Sequence, residues 1–225
     1  MVASGRARVV GLVAGVFTAA LVNAASAGVV LDQDYSPPDN LACLLGEGFK
    51  YVAQTVMPQG TGALVTVDAF FVHDDNYTGP WDVSIHAVNA SGVPTATVLA
   101  LQTLTGAEVQ PNGFSFNTPT AITFDAPAQV TAGVPFAIVV NPNPATSGAG
   151  QGKGYWRGTS TLGSNHYEGG SLYFSNDGGS FTIDSGNDVK FRTYVDGVIV
   201  PEPASIAAAA AVTFLGASGR RRRHR

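Results

Sequence analysis

The 225-residue chain predicts an all-β body, an antiparallel sandwich of two sheets. Three observations predict it. Apolar residues recur at every second position in several short runs bounded by turn residues, the period of a strand with one buried face. Glycine (27) and proline (13) are plentiful, which favours turns and short strands. No stretch between the two ends of the chain has the pattern of a long helix. About eight to ten strands are expected across residues 28–199, one domain by length. A signal helix (1–27) and a short hydrophobic helix within 200–225 are expected to flank it.

The formal net charge of −4 averages unlike pieces. Seven of the twelve basic residues lie at the ends, at Arg6, Arg8, Arg220, Arg221, Arg222, Arg223 and Arg225. Residues 28–200 keep five basic side chains against fifteen acidic ones, a balance of 5 − 15 = −10. An acidic body argues against nucleic-acid binding, which needs clustered cations to replace phosphate counterions. The lone cysteine, Cys43, excludes an intrachain disulfide framework and a cysteine-based zinc cluster.

The first element is a secretory signal. Arg6 and Arg8 form a positive start, residues 9–22 are uncharged and mostly apolar, and Ala25-Ser26-Ala27 supplies small residues at −3 and −1. Signal peptidase would cut before Gly28, so the pattern implies export by the Sec machinery.

The strands follow. In 63–73, Val65, Val67, Ala69 and Phe71 are expected on one face, Thr66 and Asp68 on the other. Val83, Ile85 and Ala87 alternate with Asp82, Ser84 and His86, which places His86 toward solvent or a second layer. Further candidates are 97–105, 120–125 (Ile122 and Phe124 inward), 135–140, 171–175 and 189–195 (Val189, Phe191 and Val195 inward). Residues 135–140 are apolar on both faces, as a central strand would be. Asn89-Ala90-Ser91-Gly92, Gln110-Pro111-Asn112-Gly113, Ala132-Gly133 and Asn176-Asp177-Gly178-Gly179 supply turns, since Gly, Asn and Asp tolerate positive φ. Residues 141–154 read as an exposed loop.

Several pieces of this body follow one another in a set order. Asp82-Val83-Ser84-Ile85-His86-Ala87 precedes Gly92-Val93-Pro94-Thr95. Later come Gly154-Tyr155-Trp156-Arg157-Gly158, a Gly169-Gly170-Ser171-Leu172-Tyr173-Phe174 run and Phe191-Arg192-Thr193-Tyr194-Val195. The series is similar to the choice-of-anchor domains of bacterial surface proteins over about residues 45–196. That resemblance implies a jelly-roll sandwich and an anchored location, and it brings no catalytic residues.

The last element is Val200-Pro201-Glu202-Pro203, then an uncharged Ala-rich run (206–219), then Arg220-Arg221-Arg222-Arg223-His224-Arg225. Fourteen helical residues span about 21 Å, short of a hydrocarbon core of about 30 Å, so membrane residence would be transient. The arginines act as a stop-transfer signal and stay cytoplasmic. Motif, weak span and basic end resemble the PEP-CTERM sorting signal. The resemblance implies export to the surface or extracellular matrix of a bacterium that makes extracellular polysaccharide. It also implies processing by an exosortase-type transpeptidase.

Chemistry is sparse. His73, His86 and His166 are far apart in sequence with no His-x-x-x-His pattern, and there is no Gly-x-Ser-x-Gly elbow. A non-catalytic body is expected, with no resident cofactor. Three oxygen-rich stretches leave a structural calcium open: Asp32, Asp34 and Asp39; Asp74, Asp75 and Asn76; Asp184, Asn187 and Asp188. Trp156 and Tyr155 are the candidate glycan-binding residues, because flat rings present an apolar face to a sugar. Extracellular polysaccharide is the matching partner.

Overall fold

A computed structural model describes residues 28–38, 41–45, 50–73, 79–111, 117–142, 154–160 and 166–199. The signal segment with Ala25 and Ala27, the tail from Val200 onward, Asp39, and Asp74, Asp75 and Asn76 lie outside the described residues, as do both expected flanking helices. The chain runs through β1 (Gly28–Tyr35), β2 (Leu41–Leu45), β3 (Tyr51–Val56), β4 (Gly60–Ala69), β5 (Phe71–His73), β6 (Trp81–Val88) and β7 (Pro94–Leu104). A 3₁₀ turn (Gly106–Glu108) leads to β8 (Gln110–Pro111), β9 (Thr120–Val130), β10 (Phe136–Pro142) and β11 (Gly154–Ser160). β12 (Leu172–Ser175), β13 (Thr182–Asp184), β14 (Asn187–Val189) and β15 (Phe191–Ile199) complete it.

Two sheets face each other. One has the order β1-β15-β4-β9, the other β13-β12-β3-β10-β6-β7. The eight strands β1, β3, β4, β6, β7, β9, β10 and β15, renumbered in chain order, read 1-8-3-6 against 2-7-4-5. That is the double Greek-key order of a jelly roll. A third ladder, β14-β11-β5-β8 with β2 on β11, extends one end. Only the short β5–β8 pairing is parallel among the described strands.

The period of two decides which side chains meet. Val52 and Val56 of β3, Phe136, Ile138 and Val140 of β10, and Val83 and Ile85 of β6 point inward. They meet Leu64, Val67, Ile122, Phe124, Phe191 and Val195 from the facing sheet in one core. β10 is apolar on both faces because it is central, paired with β3 and β6. Its outward Ala137 and Val139 join Ala53 and Tyr173 in a second, smaller cluster against Val93 and Phe181. His86 lies in this second layer, 6% exposed, with the Phe181 ring edge-on to it.

The expected phase of the first strand pattern is corrected by a bulge. The β4–β9 register shifts between Leu64 and Thr66, and β15 shifts opposite it between Tyr194 and Val195. An extra residue in a strand flips the side chains that follow it. Leu64 and Val67 therefore both enter the core, and Val65 leaves it.

A fork lies where β4 passes into β5 and β14 into β15. β15 and β4 pair directly up to Phe191 and Ala69. Beyond Lys190 and Phe70 the strands part, and β11 pairs with β5 through residues 154–156 and with β14 through residues 158–160, along the edge opposite β2. The Arg157 N–H donates to the Phe70 carbonyl at 2.9 Å and the Lys190 N–H to the Arg157 carbonyl at 2.8 Å, so the two break residues keep their backbone bonds.

Candidate functional site

Trp156 is not a sugar platform. It sits on β11 inside the fork, fully buried, with its indole N–H donating to the Lys190 carbonyl at 2.9 Å. Its ring meets Phe71 edge-on at 5.4 Å. Alternation along β11 sends Trp156 into the core and leaves Tyr155 half-buried, so the two candidate residues do not form one surface. Trp81, Tyr167 and Tyr173 are buried as well.

A polar pin crosses the sandwich beside Trp156. Asp188 of β14 is fully buried. Its carboxylate accepts from Gln54 Nε2 at 3.1 Å, His166 Nδ1 at 2.8 Å and the Tyr167 N–H at 3.1 Å. Gln54 Oε1 in turn accepts from the Val189 N–H at 3.2 Å. Burial pushes the Asp188 carboxyl above its ordinary value, and the hydrogen bonds and His166 oppose this. The neighbouring Tyr167 phenol is pushed up to about 12, mainly by burial. The pin holds residues 166–167 against β3 and β14. Half-exposed His166 is its solvent end.

The second layer holds a serine–histidine pair. Ser84 Oγ lies 2.9 Å from His86 Nε2, and His86 Nδ1 lies 2.7 Å from the Thr95 carbonyl. A carbonyl can only accept, so Nδ1 carries the proton and Nε2 accepts from the Ser84 hydroxyl. Burial lowers the His86 pKa and keeps the ring neutral. Both side chains are at least nine-tenths enclosed, and the pair ties β6 to the start of β7.

Among the described residues, the aspartates of these stretches are held by protein partners. Asp32 accepts from the N–H groups of Gln59 (2.8 Å) and Gly60 (2.6 Å) and from the Thr193 hydroxyl (3.1 Å), so it fixes β1 to the β3–β4 turn. Its pKa is raised, chiefly by burial. Asp34 pairs with Arg192 at 3.2 Å. Asp184 accepts from the Gly186 N–H and Asn187 Nδ2. Among the described residues no three metal-ligating side chains converge.

An open cleft of about 350 Å³ lies at the rim where β12 turns into β13, lined by Phe174, Ser175, Asn176, Asp177, Ser180 and Thr182. Phe174 and Thr182 are cross-strand partners, so both point to the same face of the sheet. The loop between them is shaped by Asp177 Oδ1, which accepts from the Gly179 N–H (2.9 Å), the Ser180 N–H (2.7 Å) and Ser175 Oγ (2.9 Å). Gly178, at φ +73°, makes the turn that brings these donors round. The donors hold the Asp177 carboxyl well below the usual carboxylate range, with the backbone of Ser180 and Gly179 contributing most.

No protein-family model and no curated protein matches the chain. Two solved structures are similar in part. One holds the cysteine protease and lectin-like domains of Cwp84, a surface layer associated protein of Clostridium difficile. It is 14% identical with a TM-score of 0.43, over 66% of this chain and 33% of that one. The other is clostridial Cwp84 after propeptide cleavage, 14% identical with a TM-score of 0.48, over 76% of this chain and 40% of that one. This chain thus spans less than half the length of either, and likenesses this slight carry no functional argument.

Chemically, the cleft combines one half-buried aromatic ring with hydroxyls, an amide and an ionised carboxylate. That mixture suits a polyhydroxylated ligand, with an apolar wall for C–H faces and acceptors for hydroxyl groups. In the sequence, residues 176–179 read as a turn. The usable signal was the polar density of 175–180 directly after an aromatic strand residue.

Proposed function

We propose that this chain is an exported, non-catalytic protein of a bacterial surface or extracellular matrix, delivered by Sec and sorted by a PEP-CTERM-like tail that an exosortase-type enzyme processes. The single observation that carries the reading is the order of Val200-Pro201-Glu202-Pro203, apolar run and arginine cluster. The motif begins directly after β15 ends at Ile199. Among the described residues no helix is long and apolar enough to cross a membrane. The body is a choice-of-anchor-like jelly roll carried outside the cell. Fractionation followed by mass spectrometry of the C-terminal peptide tests the reading. A surface form lacking Arg220 to Arg225 supports it, and a mature surface form that keeps them overturns processing.

The β12–β13 cleft favours a second reading, a weak glycan-binding module for extracellular polysaccharide. Calorimetry and a glycan array test it. The expected Kd is about micromolar to millimolar, −8 to −4 kcal/mol, weakened at least tenfold by Asp177→Ala or Phe174→Ala. No binding by the wild-type protein removes this reading.

A further inference from the structure

The fork places together two side chains that neither reading uses. Lys190 is 2% exposed. Its backbone is held at both ends, the N–H by the Arg157 carbonyl and the C=O by the Trp156 indole. Its Nζ lies 4.5 Å from the centroid of the Phe70 ring and 3.2 Å from Oδ1 of the Asn117 side-chain amide. The Arg192 guanidinium shares the same ring at 5.6 Å. From this geometry we infer that Lys190 and Asn117 form an intramolecular isopeptide cross-link.

The placement supplies the chemistry. Burial disfavours a positive charge at Nζ, the condition that turns a lysine into a nucleophile, and it acts against the pull of the Phe70 ring face on the cation. The neutral amine attacks Cγ of Asn117. The new C–N bond forms as the bond from Cγ to Nδ2 breaks, and the amide nitrogen leaves as ammonia with the proton that Nζ gives up. Atoms and electrons balance with no oxidant, reductant or second substrate. Asn117 is exposed, so ammonia leaves directly to water. Ala69 at the end of β4 pairs with Phe191 of β15 on one side and Thr120 of β9 on the other. The cross-link therefore spans β4 over Phe70, joining the chain just before β15 to the chain just before β9. A covalent staple there would close the sheet where its strands part.

Intact mass and peptide mapping of the purified full chain test the inference without reference to sorting or glycan binding. The expected mass is one ammonia below the sequence mass of the same processed form. Trypsin would then fail to cut after Lys190 and would release a branched species joining peptides 51–153 and 158–192. Lys190→Arg, which places a long side chain over Phe70 without a primary amine, and Asn117→Ala, at an exposed position, should each restore the full mass and abolish the branched species. A wild-type protein of full mass overturns the inference. So does an ammonia loss without the branched species, which would mean succinimide formation at an asparagine. An ammonia loss that persists in Asn117→Ala also overturns it.

Discussion

Asp188 and Asp177 each accept three hydrogen bonds, yet their ionisation is pushed in opposite directions. Asp188 lies inside the sandwich, where losing water outweighs the bonds from Gln54, His166 and Tyr167, and its pKa rises. Asp177 lies on the open rim, where the Gly179, Ser180 and Ser175 donors act with little desolvation against them, and its pKa falls. Donor count alone therefore does not decide what a carboxylate contributes. The inner aspartate is a structural pin held against its solvation preference. The rim aspartate is an anion stabilised where a ligand can reach it.

The largest expected effects break the inner region. Trp156→Ala should cost about 3–5 kcal/mol, because it leaves a cavity beside Phe71 and removes the donor to Lys190. Urea denaturation measures this, and a loss under about 1 kcal/mol would contradict a core role and reopen the glycan reading of that ring. Asp188→Ala should cost about 3 kcal/mol, since the Tyr167 N–H loses its acceptor inside the fold and Gln54 Nε2 keeps only the Thr55 carbonyl at 3.3 Å. The loss should be shared with Gln54. In a Gln54→Ala background the same substitution should cost at least about 0.5 kcal/mol less, the coupling of side chains in one network. Strict additivity would mean that the two act separately.

The contrast between the two regions also marks what the sequence could tell. β10 was legible because an uninterrupted apolar run suits a strand covered on both faces, and β6 because His86 and Ser84 alternate with Val83 and Ile85. The turns at Gly92 and Gly178 were legible because both need positive φ, +82° and +73°. The phase of β4 was not, since a bulge is set by the partners β9 and β15. β1 was read as an acidic stretch. Asp32 is tied to Gln59, Gly60 and Thr193, donors brought to it only by the fold. The burial of Trp156 is not legible for a related reason: its neighbour Phe71 and its acceptor Lys190 are distant in sequence, and local composition cannot separate a core indole from an exposed one. Lys190 alternates with the inward Val189 and Phe191, and nothing in the sequence says that Asn117 and Phe70 cover it.

The smallest effect is the sharpest test of the comparison, because it concerns the sign of a slope. Asp188 has a folded pKa above 3.8, so the native state holds that proton more tightly than the unfolded chain does. Its contribution to stability is greatest below 3.8 and declines as pH rises through the window from 3.8 to the raised value. Asp177 has a folded pKa below 3.8, so its contribution is present above that value and is lost as pH falls through the window beneath it. Denaturation midpoints of wild type, Asp188→Asn and Asp177→Asn across acidic pH separate the two. The stability difference between wild type and Asp188→Asn should shrink with rising pH, and that between wild type and Asp177→Asn should grow. Slopes of the same sign would mean that burial does not override hydrogen bonding at Asp188, and that the inner pin and the rim loop are electrostatically alike.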